Sequence, residues 1–380
     1  MTSVAIIHNH PIHYQHLLFT ELARRGMVFE VLFTAASSGA RIGGLSETSE
    51  YRHSIGHTGP YEGAPKIATA HFVWKALNRL RPEVVIISGY ADIAAWTGWL
   101  WAEVNRSNRI LWSESNEFDH PRQTWREIPK RFFLSRCDLA HVYGTSGREY
   151  LEMLGMPRKK IGTKRAVVNT ELFLDGKHTP DAKTGPIRLL YCGRLSPEKN
   201  VAMLLRAFAG LRQKADSPRT TLKIVGHGPQ ADALRKMSVD LGIDRIVQFA
   251  GFATQAALQQ ILVDSDVLVL PSKSEPWGLV VNEAMLSGLA VAVSDRCGCV
   301  ADLVSHETGW TFSPDNEAEV TSLLDRIADT PREILEEMGR AGRSIAAEYS
   351  PENCAKAVEA MVNSLPHIPS GEALVAGEGN

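Results

Sequence analysis

The chain of 380 residues lacks any apolar run of about 18 residues, the length that a transmembrane helix requires. Residues 1–8 carry no basic stretch ahead of their short apolar run, so they do not resemble a signal peptide and are predicted to form a first strand. Cysteine is scarce, and its odd count of five favours a reducing compartment over a disulfide framework. We therefore expect a cytoplasmic protein.

A global excess of one charge is absent as well. Lysine and arginine total 41 against 43 for aspartate and glutamate, so the net charge of -2 gives no reason to expect nucleic acid as a partner. A local excess occurs at 122–165, where eleven basic and four acidic residues surround Trp125, Phe132 and Phe133. Two interpretations stay open for this segment. It could contact the anionic inner face of a membrane or an anionic lipid-linked molecule, or form an ordinary solvated helix with a buried aromatic side.

Short apolar runs alternate with helical patterns throughout the chain, which predicts parallel sheets covered by helices on both faces. A length of 380 residues favours two domains of ordinary size. We therefore predict an α/β protein with two Rossmann-like, doubly wound domains that face each other across a ligand cleft. The predicted parts are a first domain at 1–178, a second domain at 187–350, a helix at 351–365 that crosses back to the first domain, and a disordered tail at 366–380.

The apolar runs give eleven strand candidates. They are 4–7, 29–33, 84–87, 109–112 and 139–143 in the first half, then 187–192, 221–225, 246–250, 267–270, 290–294 and 309–312. A polar stretch at 176–186 separates the two series and is predicted to be a linker. The glycine-rich segment 35–63 is predicted to be a long loop.

The most informative motif is SKSEPWGLVVNEAM at 272–285, which follows a short apolar strand. It puts two carboxylates, Glu275 and Glu283, eight positions apart. The pattern predicts a loop that contains Glu275, then a helix that is closed by Gly288 and carries Glu283 one turn inside. Apolar neighbours of Glu283 predict a largely buried helix, where an acid requires a partner. Two acids at such a strand–loop–helix corner indicate recognition of hydroxyl groups.

Two further turns follow predicted strands of the second half. Gly193 and Arg194, with Lys199, precede a helix and could hold phosphate oxygens, although solvated basic residues at a helix start are an equally good interpretation. The second turn, Gly226-His-Gly228, is weak evidence for a dinucleotide site. The acid that an NAD site needs at the end of the next strand is missing, so NAD is disfavoured.

These motifs together resemble glycosyltransferase family four, also called group 1. The residues that carry the resemblance are Gly193-Arg194 with Lys199, Gly226-x-Gly228-Pro229, Gly251-Phe252 and Pro271-Ser-x-x-Glu275-x-x-Gly278-Leu279-x-x-x-Glu283-Ala284. The resemblance extends over 187–312 and is weaker in the first half, where 169–173 lacks the glycine of the family's motif. Members of this family are retaining, nucleotide-sugar-dependent enzymes with the GT-B fold.

The resemblance implies roles for individual residues. Arg194 and Lys199 would hold the donor diphosphate, Glu275 would contact the transferred sugar, and these three form the predicted catalytic set. The predicted donor-binding set is Gly193, Gly226, Gly228, Phe252, Trp277, Gly278, Leu279, Val280 and Glu283, with Glu283 on the ribose hydroxyls and Phe252 near the base. No metal and no other cofactor is expected, because in the usual proposal the leaving phosphate itself helps to deprotonate the acceptor.

Three motifs could still suggest a metal. Asp264-Ser-Asp266 has the form of the metal signature of other glycosyltransferases, but we interpret it as capping and loop chemistry. The histidines at 8–16 are interrupted by Pro11, and Cys297-Gly-Cys299 lacks two further ligands nearby.

The first half is expected to select the acceptor. It lacks the Gly-Gly turn that many family members place after the first strand. His10, His13, Tyr90, Asp92 and Glu114 are the candidate acceptor contacts, although His13 could merely lie on the first helix.

The expected partners are a nucleotide-sugar donor and a saccharide or lipid-linked acceptor. The expected function is a hexosyltransferase of cell-surface polysaccharide or glycoconjugate synthesis, and the alternative is a nucleotide-sugar epimerase or hydrolase on the same fold.

Overall fold

The computed structural model describes residues 2–38, 50–118, 124–164, 166–174, 185–211 and 219–367. Most of the linker predicted at 176–186 lies outside the described residues. So do most of the predicted tail and the middle of the segment 35–63.

The first half forms a parallel sheet of seven strands in the order β3-β2-β1-β4-β5-β6-β7. The strands are β1 (Val4–His8), β2 (Phe29–Phe33), β3 (His53–Ile55), β4 (Val84–Ser88), β5 (Asn108–Ser113), β6 (Leu139–Val142) and β7 (Ile161–Gly162). The helices are α1 (His13–Arg24), α2 (Lys66–Leu80), α3 (Ile93–Val104), α4 (Thr124–Ser135), α5 (Gly144–Met153) and α6 (Thr170–Leu174). The central strand β1 is apolar except at its end and is buried along its whole length, as expected where helices cover both faces.

Two strands of this sheet were not predicted. Strand β3 has three residues and β7 has two, and both lie at the edges of the sheet. Neither has a run of apolar residues, because an edge strand of this length buries little surface. The prediction of an uninterrupted loop over 35–63 was therefore wrong, since β3 lies inside that segment.

The second half forms a parallel sheet of six strands in the order β10-β9-β8-β11-β12-β13. The strands are β8 (Ile187–Cys192), β9 (Thr220–Val225), β10 (Val247–Gly251), β11 (Val267–Leu270), β12 (Ala290–Ser294) and β13 (Gly309–Phe312). The helices are α7 (Val201–Ala209), α8 (Ala231–Asp240), α9 (Gln255–Val263), α10 (Leu279–Leu286), α11 (Val300–Leu303), α12 (Glu317–Asp329) and α13 (Arg332–Ala346). The strand order reverses between β8 and β11, which is where a doubly wound sheet opens a crevice for a ligand.

The last described helix, α14 (Pro351–Asn363), packs on the first domain. Ser350 caps its start, where Asn353 N–H donates to the Ser350 hydroxyl over 3.2 Å. The buried side of α14, including Val358 and Val362, belongs to the same apolar cluster as strands β1 and β2. No helix in the described part of the chain is long and apolar enough to cross a bilayer.

The Asp264-Ser-Asp266 motif lies at the edge of the second sheet where the parallel strands begin. The Asp266 carboxylate accepts hydrogen bonds from the Arg188 backbone N–H over 2.8 Å and from its guanidinium over 3.1 Å. Arg332 at the start of α13 lies 3.0 Å from the same carboxylate. Asp264 is exposed and accepts from the Gln260 amide over 3.2 Å. The motif therefore joins three elements of the framework. It lies at the edge of the sheet opposite the carboxyl ends of the strands.

This network gives a stability prediction. Asp266→Ala should lower the free energy of unfolding by roughly 3 kcal/mol, because it leaves two guanidinium groups without their buried carboxylate. Asp264→Ala in the same motif should cost less than about 0.5 kcal/mol. Urea unfolding followed by circular dichroism measures both. Equal losses for the two variants would contradict the structural role assigned to Asp266.

Candidate active site

The carboxyl ends of the two sheets face each other, and aromatic side chains join the domains at this seam. Trp277 is only 2% exposed, and its ring centre lies 6.0 Å from that of Tyr143 and 5.5 Å from that of Tyr349. Its indole N–H donates to Asn282 over 2.8 Å. The Trp277 side chain is therefore part of the packing between the domains. The predicted contact of Trp277 with the donor stays a prediction.

A second contact across the seam joins α5 to α11. The backbone N–H and the hydroxyl of Thr145 donate to the Asp302 carboxylate over 2.8 and 2.9 Å. Gly144 has a φ of +54°, and any side chain there would collide with Asp302 and Trp277. This close approach of the first turn of α5 therefore requires glycine.

The loop between β11 and α10 carries Glu275 and is held from several directions. The Glu275 carboxylate lies 2.5 Å from the ammonium group of Lys199. Its backbone carbonyl accepts from the Gly298 N–H over 2.9 Å and from the Asn116 amide over 3.0 Å. Asn116 belongs to the first domain and is buried, so both domains position the Glu275 loop.

Asn116 was not among the predicted site residues. It belongs to the polar cluster that follows β5, in which the sequence pattern favoured Glu114. The position of Asn116 on the opposite domain is a tertiary contact that no local spacing reveals. Glu114 accepts from the Tyr143 hydroxyl over 3.3 Å, and its role toward an acceptor stays a prediction.

The two predicted phosphate-binding bases each face a carboxylate. Lys199 ends a short 3-10 turn after β8 and pairs with Glu275, and only 13% of its side chain is exposed. Arg194 is half exposed and lies 2.9 Å from Glu198. A diphosphate would have to compete with these carboxylates for the bases, and its higher charge favours that exchange.

Glu283 lies one turn inside α10, with Val281, Ala284 and Met285 fully buried around it. Burial raises the pKa of Glu283 to about 8. The Glu283 charge adds to burial in raising the pKa of Cys192, which places this carboxyl beside the end of β8. Within the described residues, no side chain or backbone group forms a hydrogen bond or ion pair with the Glu283 carboxyl. Glu283 is partly exposed. A carboxyl that is partly desolvated, unpartnered and still accessible is suited to bind a ligand's hydroxyl groups.

The glycines predicted at the ends of β8 and β9 lie where two loops pack against each other. Gly226 has a φ of +139°, and a side chain there would collide with the carbonyl of Gly193. The two loops run in contact, and the Gly193 N–H donates to the Val225 carbonyl over 3.0 Å. A side chain at Gly228 would likewise collide with the carbonyl of Leu195. These glycines therefore allow loop-to-loop packing, whatever their distance from a ligand.

Gly278 has a φ of +96° and begins α10. The next two residues, Leu279 and Val280, are the first of the helix, where backbone N–H groups have no acceptor within the helix. This helix start, next to the Glu275 loop, provides donors for an anion. Phe252 is 55% exposed, and its ring lies 5.7 Å from that of His227.

The candidate acceptor contacts of the first domain differ in their surroundings. Asp92 caps α3 by accepting from the Ala95 N–H over 2.8 Å, and it also accepts from the Tyr61 hydroxyl over 3.0 Å. Tyr90 is largely buried, which raises its pKa, and Lys130 lies 5.6 Å from its ring centre. Asp92 and Tyr90 thus have framework contacts, and their roles toward an acceptor stay predictions.

The two histidines among these candidates, His10 and His13, have different neighbours. His10 is buried, with its ring 6.3 Å from that of Tyr61. His13, at the start of α1, lies near the side chain of Gln255 of the second domain. Burial lowers the pKa of His13 and outweighs the opposing effect of Gln255. His13 therefore lies where the two domains meet, and its role toward an acceptor stays a prediction.

Comparison with known proteins agrees with the motifs of the second domain. Residues 177–345 match the family model described as glycosyl transferases group 1. The second domain belongs to the group 1 glycosyltransferase family. The resemblance predicted from the motifs is thereby confirmed.

Relatives of this group 1 domain cover different shares of the chain. A glycogen synthase of Mycobacterium tuberculosis is 31% identical over 167 residues, which are 44% of this chain and 40% of that protein. The chain thus spans about two fifths of the length of the first curated relatives it matches. A D-inositol 3-phosphate glycosyltransferase of Streptomyces scabiei is 25% identical over 408 residues, 95% of this chain and 90% of that protein.

The whole chain also matches solved structures. The Anabaena protein HepE, solved in complex with UDP and glucose, has a TM-score of 0.74 at 16% identity, with coverage of 96% of this chain and all of the other. The likeness shows the fold, which is GT-B, as predicted. In the described part of the chain, no group of three or more His, Cys, Asp or Glu side chains could hold a metal ion.

The raised pKa of Glu283 gives a pH prediction for the ligand-free protein. Its pKa is about 8 in the folded state and near 4.5 in the unfolded state, so the unfolded state binds fewer protons between these values. Stability should therefore fall as pH rises from 5 to about 8, and Glu283→Gln should flatten this fall by removing the ionisation. Melting temperatures over this range measure it.

Glu337 is exposed. Glu337→Gln is the matched control and should retain the wild-type pH profile. Identical pH profiles for Glu283→Gln and wild type would show that Glu283 is not desolvated in solution.

Proposed function

We propose that this protein is a retaining glycosyltransferase that moves a hexosyl group from a nucleotide-diphosphate sugar to a hydroxyl acceptor. The observation that carries the proposal is the unpartnered, partly buried carboxyl of Glu283 on α10, the helix that follows the loop with the Lys199–Glu275 ion pair. Few ligands provide both a pair of hydroxyl groups for the Glu283 carboxyl and a strong negative charge for Lys199. A nucleoside diphosphate has both, on its ribose and on its diphosphate.

Donor binding would rearrange the charges in the cleft. The diphosphate would draw Lys199 away from Glu275 and Arg194 away from Glu198, which are their present partners. Glu275, once released, would be available to hydroxyl groups of the transferred sugar. Ribose hydroxyls that donate to Glu283 would favour its ionised form and lower its raised pKa.

The chemistry would then depend on stabilising the leaving group. As the bond to the sugar breaks, negative charge grows on the departing diphosphate, opposite Arg194, Lys199 and the start of α10. In the proposed reaction, the leaving phosphate accepts the acceptor's proton on the same face of the sugar, so the anomeric configuration is retained. This route requires neither a metal nor a protein nucleophile.

The similarity to HepE, which was solved with UDP and glucose, supports a nucleotide-sugar donor. The match to D-inositol 3-phosphate glycosyltransferase over most of both chains supports a hydroxyl acceptor. We propose that the acceptor is a glycan or a lipid-linked saccharide of polysaccharide or glycoconjugate synthesis. It would be bound by the first domain between His13 and Glu114.

Nucleotide binding is the direct test. At millimolar concentration, uridine or guanosine diphosphate should raise the melting temperature by several degrees, because a ligand at about 100 times its Kd stabilises a protein by about 2.7 kcal/mol. Glu283→Ala should lose most of this shift, and the exposed Glu337→Ala should keep it. Differential scanning fluorimetry over a series of diphosphates measures the effect.

A series in which no diphosphate stabilises the wild type would contradict the proposal. Turnover must also depend on an acceptor. If the protein converted its donor to free sugar or to an epimer at full rate without any acceptor, the hydrolase or epimerase alternative would replace the transferase.

A further inference from the structure

Two helices of the first domain expose large apolar side chains. On α4, Trp125, Ile128 and Phe132 are 67%, 64% and 51% exposed, and their spacing of three and four residues puts them on one side of the helix. On α3, Leu100 and Val104 are 50% and 65% exposed and are four residues apart. We call these five residues the α3–α4 face.

The two helices are neighbours in the first domain. The Trp99 indole on α3 donates to the carbonyl of Phe133 on α4 over 3.1 Å. The Trp99 ring centre also lies 5.5 Å from that of Phe132. Phe133 is fully buried in the domain core, on the inner side of α4. Helix α4 is therefore apolar on its inner side and on part of its outer side, which an ordinary solvated helix is not.

Basic side chains lie among the apolar ones. Arg126 is exposed, and its guanidinium lies 5.1 Å from the ring centre of Trp125. Arg131 is exposed as well, one residue before Phe132. The nearby acid Glu127 is already paired with Lys130 at 3.0 Å, so it does not cancel these charges. Exposed aromatic and aliphatic groups flanked by arginine are typical of surfaces that lie in the headgroup region of an anionic bilayer.

The face also lies beside the cleft. Helix α3 begins after the carboxyl end of β4, and α4 follows the loop from the end of β5. Both helices therefore start at the edge of the sheet that faces the second domain. Trp125 is near the start of α4 and is the member of the face closest to the cleft along that helix.

We propose that the α3–α4 face docks on an anionic lipid bilayer and holds the protein there as a peripheral membrane protein. The face would lie flat at the headgroup level, with its apolar groups inserted and Arg126 and Arg131 on lipid phosphates. Docking would bring the cleft to a lipid-linked acceptor, and for this one point the inference rests on the proposed function. A second copy of the chain fits less well, because a two-fold contact would set these arginines against each other.

The test is flotation of the full chain with vesicles of phosphatidylcholine alone or mixed with phosphatidylglycerol, without nucleotide. Wild type should bind the anionic vesicles and release them as salt rises. Trp125→Ser with Phe132→Ser, and separately Arg126→Glu with Arg131→Glu, should weaken this binding by roughly tenfold or more. Val239→Ser, at a position 61% exposed on α8, is the matched control and should bind like wild type.

Two outcomes would overturn the proposal. One is that wild type fails to bind anionic vesicles, or that the face variants bind them as well as Val239→Ser does. The other is a concentration-dependent dimer in analytical ultracentrifugation that the same substitutions abolish, which would make the face a contact between copies. The diphosphate thermal shift of each variant, measured on the same samples, shows separately whether the variant is folded and whether the donor site survives.

Discussion

The geometry of the cleft depends on how the loop between β11 and α10 is held. Trp277 anchors its end in the packing between the domains, and Asn116 reaches the carbonyl of Glu275 from the opposite domain. Lys199 and the Gly298 backbone hold Glu275 from within the second domain. Because both domains contribute, the position of the Glu275 carboxylate follows the relative position of the domains. A ligand that exchanges one of these contacts can therefore affect the whole seam.

The electrostatics of the cleft divide it into two parts. Lys199 and Arg194 are paired with carboxylates, so the site for a diphosphate is preformed but internally neutralised. Glu283 is the opposite case, since partial burial raises the pKa of its carboxyl and no described group pairs with it. A group that is costly to keep in this state is retained where a ligand compensates for it.

The sequence predicted the long buried strands well, because continuous apolar runs bounded by turns indicate parallel strands on their own. It also predicted the Glu275 and Glu283 corner. It did not predict the edge strands β3 and β7, which bury too little surface to leave a pattern. The role of Trp277 in the packing between the domains was not predicted, and Asn116 was overlooked, for one shared reason. Both make contacts across the seam, between residues far apart in the sequence, and local spacing holds no information about such contacts.

The central claim is that the Glu283 carboxyl binds the ribose hydroxyls of a nucleoside diphosphate. Calorimetry with the better-bound diphosphate and its 2′,3′-dideoxy analogue, on wild type and Glu283→Ala, tests it most directly. Loss of the hydroxyls should weaken binding to wild type by roughly tenfold or more, since hydrogen bonds to a charged group contribute about 1.5–3 kcal/mol. The variant should bind both ligands equally. Equal losses of affinity in wild type and variant would contradict the claim.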